Sequence, residues 1–220
     1  MAKRTLALLS GGADSLYCLL RQLRETDDEI FTFSHRLRNN RPLSNEAHVD
    51  NKLEAERYHR LYHVLPWLRK HERPFTELGF AEIDFSQMSQ ERFFVNRTRT
   101  TLYVAAMIGH TYGIGRIVSG HYFGTGFPLH HQKECHDILR AGYMNNPPPD
   151  FEWITPRAHI SKSEVYKYLG DLADMTMSCN APRKTTAGDW LMCGKCVQCQ
   201  EILANRKTLP DIRRMIKHAA

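Results

Sequence analysis

Nothing in this 220-residue sequence stays apolar for long. The longest early run, Leu6 to Leu9, stops at Gly11, Gly12 and Asp14. It is too short for a membrane span, and too short for a signal-peptide core despite Lys3 and Arg4 ahead of it. A cytoplasmic location and no membrane partner are the expectation. Repeats of solenoid length and low-complexity tracts are also missing. Cysteine is sparse, six residues in all. Without an export signal these should be reduced, so a local cluster of them means metal rather than disulfides. Two phosphate-binding signatures are absent as well. No Lys-Ser/Thr follows the glycines, as the Walker pattern needs, and there is no Gly-x-Gly-x-x-Gly.

What is present is ordinary for a globular chain: 42% apolar and 25% charged residues, enough for one α/β core with a small appendage. The net charge is +6. Much of the excess lies at the end of the chain, where Arg206, Lys207, Arg213, Arg214 and Lys217 face only Asp211. A basic helix there can be a solvated face or can touch nucleic acid, which stays open as a partner; an anionic substrate also accounts for a mild basic excess.

Strand and helix patterns alternate. Thr5 to Leu9 reads as a buried strand, and Asp14 to Arg24 as a helix with Leu16, Leu19, Leu20 and Leu23 on one face. Ile30 to Phe33 is a second strand. Ser34 to Ser44, basic and polar, reads as a loop, and a helix is expected from about Asn45 to Tyr62. Ala81, Ile83 and Phe85 alternate as in a strand. Thr98 to Tyr112 is a helix, Arg116 to Gly120 a strand, and Asn145 to Asp150 a proline-rich loop. Ser161 and Glu164 form a capping box at a helix start, and a short basic helix closes the chain. The pattern predicts an α/β fold, a mostly parallel sheet with helices on both faces. Ligands of such sheets bind at the carboxyl ends of strands, where SGGADS, SHRLRNN and GHYFGTGFP each follow a predicted strand.

The most specific local feature is Ser10-Gly11-Gly12-Ala13-Asp14-Ser15, between a strand and a helix. Its glycines permit positive φ and close approach of a ligand. Its N–H groups, with those of the first helical turn, make an anion nest to which Ser10 and Ser15 add hydroxyls. Asp14 is out of place beside a bare phosphate but suits the Mg²⁺ that accompanies ATP. The bland alternative is a Gly-Gly turn with Asp14 or Ser15 as N-cap. A second feature is Cys179, Cys193, Cys196 and Cys199, spaced C-x13-C-x2-C-x2-C. Four thiolates close a tetrahedral shell and suit structural Zn²⁺, with no open position for catalysis. An iron–sulfur cluster is the rival, since it uses the same ligands.

SGGADS resembles the signature of the PP-loop ATP-pyrophosphatase superfamily. With the cysteines, the chain is similar to the 7-cyano-7-deazaguanine synthase family of queuosine biosynthesis. The likeness includes Ser178-Cys179-Asn180 and CGKCVQCQEILANR from Cys193 to Arg206. It also includes ITPRAHISKSEV, which supplies Thr155, Pro156, Lys162 and Glu164 counterparts, and Arg97 within Phe94-Val95-Asn96-Arg97-Thr98. It departs in two places. A Pro-Gly-Arg-Asn stretch is reduced to Asn96-Arg97-Thr98, and an acidic substrate loop is replaced by HYFGTGFPLHH, His121 to His131.

The resemblance implies an adenine nucleotide α-hydrolase-like domain over residues 1–175. Residues 176–220 would form a four-cysteine zinc-binding and helical tail packed on it. It implies ATP-dependent conversion of 7-carboxy-7-deazaguanine and ammonia to the nitrile through adenylated intermediates, by a homodimer. Ser10 to Ser15 would bind the pyrophosphate, Asp14 the Mg²⁺, and Lys162 the phosphates, with Arg97 clamping a carboxylate or phosphate. His121, His130 and His131 border the altered loop and are candidates for acid–base work. Cys18 reads as core and Cys135 as an inert thiol. Alternatives are an enzyme that stops at the amide or conjugates the acyl group to another amine, a tRNA-modifying member of the superfamily, and a non-catalytic nucleotide sensor.

Overall fold

The computed structural model describes residues 2–39, 49–85, 97–121, 129–206 and 208–211. They form two compact units that interleave along the chain. The first takes residues 1–9, 18–41 and 72–160; the second takes 10–17, 42–71 and 161–220.

The first unit is built on five parallel strands in the order β3-β2-β1-β4-β5: β1 Arg4–Leu8, β2 Glu29–Asn39, β3 Thr76–Phe85, β4 Arg116–Val118 and β5 Glu152–Ile154. Helix α1, Ala13–Glu25, links β1 to β2. Helices α4, Arg97–Tyr112, and α5, Leu129–Gly142, link β3 through β4 to β5. The strand order grows outward from β1 in two directions. With right-handed crossovers this puts α1 on one face and α4 and α5 on the other. Side-chain alternation agrees. Leu6, Phe31, Phe33 and Ile117 form one core cluster with Leu102, Ala105 and Ala106 of α4, Leu139 of α5 and Tyr143 just after it. Thr5, Ala7, Ile30, Thr32 and Val118 are buried on the opposite face. The Tyr143 hydroxyl donates to the Ile114 carbonyl at 2.5 Å, tying the end of α5 to the turn before β4.

Two expectations need correction here. Ser34 to Asn39 is strand, not loop: β2 continues to Asn39 beside β3 in register Leu37↔Ile83 and Asn39↔Phe85. Ladder pairing with β3 takes up one edge of this backbone, Leu37 is buried, and the Arg36 guanidinium is 3.5 Å from the Glu82 carboxylate. Polar composition alone therefore misread it. The remainder of that segment, and the start of the following helix at Asn45, lie outside the described residues. That helix also runs past Tyr62. It begins as α2, Val49–His59, passes through a π-helical turn at Arg60–Val64, and continues as α3, Leu65–His71. Pro66 lacks an N–H and its ring crowds the carbonyl four residues back, which widens the turn without ending the helix. Helix α5 and strand β5 had no counterpart in the sequence reading.

The second unit joins α2 and α3 to α6, Lys162–Leu169, a 3₁₀ turn at Gly170–Met175, a hairpin of β6, Arg183–Lys184, and β7, Trp190–Leu191, and α7, Val197–Arg206. The capping box predicted at Ser161 is present, with the Ser161 hydroxyl accepting from the Glu164 N–H and the Glu164 carboxylate accepting from the Ser161 N–H. His59 on α2 is buried, its Nδ1 3.0 Å from the Met175 carbonyl, and the Tyr58 hydroxyl donates to Asp189 at the hairpin turn, 3.2 Å away.

His63, one turn beyond His59, has its ring centroid 5.2 Å from that of His59. Burial, reinforced by His59, lowers its pKa to about 4 from an ordinary 6.5. A histidine with a depressed folded pKa contributes full stability above its unfolded value and loses it as pH falls towards the folded one. Thermal stability should therefore drop as pH goes from 6.5 towards 4, and His63→Phe should flatten that drop by several degrees. A wild-type profile of Tm against pH in the variant would refute this assignment.

Candidate functional site

The glycine loop belongs wholly to the second unit. Gly11 has φ +105°, and a Cβ there would collide with the Glu56 carbonyl and approach the Arg60 Cβ to 3.3 Å. No side chain fits, so the position needs glycine on both counts. The Ser15 hydroxyl donates to the Gly12 carbonyl at 2.9 Å and receives the Ser10 N–H at 3.2 Å. The Gly12 N–H donates to the Ser10 hydroxyl at 3.2 Å. The Ala13 N–H donates to the Ser178 hydroxyl at 3.2 Å, and the Met177 N–H donates to the Gly11 carbonyl at 3.0 Å. Loop N–H groups thus point at neutral hydroxyl oxygens that an anion's oxygens can replace. Ser178 was visible only as part of a motif beside the first cysteine, and nothing in the linear sequence tied it to Ala13.

Lys162 stands at the start of α6, and its ammonium forms an ion pair with the Asp14 carboxylate on the first turn of α1. The side chains are 10% and 31% exposed, respectively. A lysine in the first helical turn is unfavourably placed against the helix dipole. Asp14 supplies the compensating charge, 148 residues away in sequence. Tyr17, within the same unit, packs edge-on to Tyr168 of α6, with centroids 5.1 Å apart. Tyr166 is buried; burial, with the Asp14 charge, pushes its phenol pKa well up. It stays neutral and donates no charge to the site.

The four cysteines converge. Their sulfurs all lie within 4.8 Å of one another, with Cys179–Cys199 and Cys196–Cys199 at 3.5 Å and Cys179–Cys196 and Cys193–Cys199 at 3.9 Å. These distances exceed a disulfide bond. They match the edge of a tetrahedron with metal–sulfur bonds of about 2.3 Å, which is about 3.8 Å. Thiolates of a multi-iron cluster bind different irons and stand further apart. The 13 residues between Cys179 and Cys193 fold back as the β6–β7 hairpin, and Gly194, at φ +75°, makes the turn inside CGKC. N–H groups aim at the sulfurs: Cys193 N–H at Cys179, 3.2 Å, Asn180 N–H at Cys196, 3.4 Å, and Cys196 N–H at Cys193, 3.3 Å. Burial opposes the Cys193 thiolate, but the N–H groups of Lys195 and Cys196 outweigh it and bring that pKa to about 7. Burial lifts Cys199 to about 12. Together the four ionise only with a cation among them, so the donor set fits a closed zinc site.

Other expected residues fall as follows. Arg97 is the first residue of α4, and its side chain lies outside the described residues, as do those of His130, Phe94, Val95 and Asn96. His131 contacts Glu134 one turn on, at 3.2 Å. His121 follows β4 in the first unit, 2.7 Å from the Ser119 hydroxyl. Cys18 is core, its thiol directed at the Ser119 carbonyl. Cys135 is buried, which raises its pKa and keeps it an unreactive thiol. Of the altered loop, Tyr122 to Pro128 lies outside the described residues.

Among the described residues no helix is long and apolar enough to cross a membrane. No curated protein matches the chain. Residues 4–206, from β1 to the last residue of α7, match the family of the queuosine biosynthesis protein QueC, and the chain belongs to that family.

Proposed function

We propose that the protein uses ATP and ammonia to convert 7-carboxy-7-deazaguanine to 7-cyano-7-deazaguanine. The observation that carries this reading is the placement of Lys162 against Asp14 on a glycine loop whose N–H groups are presented to hydroxyl oxygens. A carboxylate oxygen of the substrate attacks the α-phosphorus of ATP, and the bond to pyrophosphate breaks. Ammonia then attacks the acyl carbon, AMP leaves, and the amide forms. A second round places AMP on the amide oxygen. Loss of a proton from nitrogen and of AMP from carbon leaves the nitrile.

In both rounds negative charge grows on the leaving pyrophosphate. The N–H groups of Gly12 and Ala13, once released from Ser10 and Ser178, are fixed dipoles for that charge, and Lys162 adds a full positive one. Mg²⁺, when bound, would neutralise phosphate charge beside Asp14. The pairing of Asp14 with Lys162 before nucleotide arrives keeps both groups in place without an unpaired charge. Arg97 is assigned to a carboxylate or phosphate of the substrates. The cysteine cluster, holding zinc, is structural.

Incubation of the protein with MgATP, 7-carboxy-7-deazaguanine and ammonium, followed by mass spectrometry, tests the reading. The nitrile with two AMP per product is expected. Amide as the end product, or a conjugate when another amine is supplied, would replace the nitrile step. Absence of AMP would reject the activity.

A further inference from the structure

We infer that His121 is a fixed, neutral Nε2–H donor that hydrogen-bonds an sp² oxygen of the planar heterocyclic acid. This rests on the substrate class proposed above but on different residues. Strands β1 and β4 lie side by side with Ala7 opposite Val118, and β2 lies on the other side of β1. The sheet therefore reverses its order between β1 and β4, and ligands of such sheets bind outside the carboxyl ends of the strands at that point. His121 stands there, three residues beyond the end of β4.

Its tautomer follows from its neighbours. The Trp153 indole can only donate, and its Nε1–H does so to the Ser119 hydroxyl at 2.9 Å. Ser119 is 1% exposed, so its own hydroxyl proton needs an acceptor. Among the described residues the partner in place is Nδ1 of His121, at 2.7 Å. Nδ1 therefore carries no proton and Nε2 carries it. Ser119 is itself pinned, its N–H donating to the Ile154 carbonyl at 3.0 Å, and the Trp153 ring packs edge-on against the imidazole, centroids 5.7 Å apart. Burial keeps the ring neutral, with a pKa lowered to about 4. His121 thus differs from a proton shuttle: at neutral pH it has one donor to offer and no proton to exchange. A neutral N–H donor reads an acceptor oxygen of the heterocyclic acid rather than a donor edge.

The test is steady-state kinetics on the full protein with 7-carboxy-7-deazaguanine and MgATP, joined to ¹⁵N NMR of the histidine rings. His121→Phe should raise KM for the deazapurine about tenfold or more, the value of one lost hydrogen bond, with KM for ATP unchanged. His121→Gln, which returns an N–H near the position of Nε2, should recover much of the loss. If His121→Phe loses its far-UV circular dichroism, His121→Gln and Ser119→Ala carry the same comparison, with Ser119→Ala raising the same KM. In the unmodified protein the NMR should show a bare Nδ1 and a protonated Nε2 from pH 8 down to about 5.5, well above the lowered pKa. Wild-type KM in the variants, a protonated Nδ1, or titration near the ordinary histidine value would overturn the assignment. If the unmodified enzyme makes no AMP from this acid, the proposed substrate fails, while the ring's tautomer and titration still report on the Trp153–Ser119–His121 chain.

Discussion

Asp14→Asn should lower AMP-forming turnover by about 10²–10³-fold, because Asp14 acts on the developing anion only through the cations it would hold in place, Lys162 and the Mg²⁺ of the nucleotide, and losing one such charge-stabilising group typically costs that much. Asparagine keeps the shape of aspartate, so α1 and its first turn should persist. What goes is the negative charge beside Lys162 and the carboxylate available to a phosphate-bound cation. Lys162→Met should cost a similar factor from the opposite side, by removing the cation while leaving the loop N–H groups in place. The two residues are in contact, so their effects should not add: the double variant should fall well short of the product of the single losses. The measurement is kcat for AMP release in the four proteins, with circular dichroism to verify folding. Undiminished turnover in Asp14→Asn would remove the loop from the chemistry.

The second large effect concerns the cysteines. Cys199→Ser should abolish stoichiometric zinc and lower Tm by more than about 10 °C, since structural zinc sites contribute apparent free energies of about 10 kcal/mol or more. Cys199 is fully buried, and its replacement leaves three thiols converging on a site they cannot close. The loss should reach the glycine loop. Met177 and Ser178, which hold Gly11 and Ala13 by hydrogen bonds, immediately precede Cys179. Freeing that cysteine loosens the segment that orders the loop, so KM for ATP should rise as well. Metal analysis, thermal unfolding and ATP kinetics on the one variant test both parts. Full zinc content with an unshifted Tm would show that the four sulfurs hold no metal.

Much of this was legible in the linear sequence where local chemistry dictated the outcome. The Gly-Gly turn, the capping box at Ser161 and the CGKC knuckle are each set by residues a few positions apart, so their geometry follows from spacing. The same logic failed where partners are distant. Ser34 to Asn39 looks like a loop by composition, yet pairing with β3 supplies its backbone hydrogen bonds and Glu82 meets Arg36. The helix expected to end near Tyr62 continues to His71, passing Pro66 by way of a π-helical turn at Arg60–Val64. Helix α5 follows a glycine-rich stretch, and its apolar positions Cys135 and Leu139, with Tyr143 just beyond its end, become intelligible only against α4.

Residue order by itself determined the parallel α/β class, the glycine turn at the exit of β1 and a four-thiol cluster that could hold a metal, because short-range geometry and ligand spacing leave little else for those residues to do. Only the tertiary structure decided that Lys162 meets Asp14, that Ser178 and Met177 hold the loop, and that Trp153 and Ser119 set the proton on His121. Most of those pairings join residues far apart in the chain, and it is packing, not sequence neighbourhood, that chooses which distant polar groups satisfy one another once water is excluded.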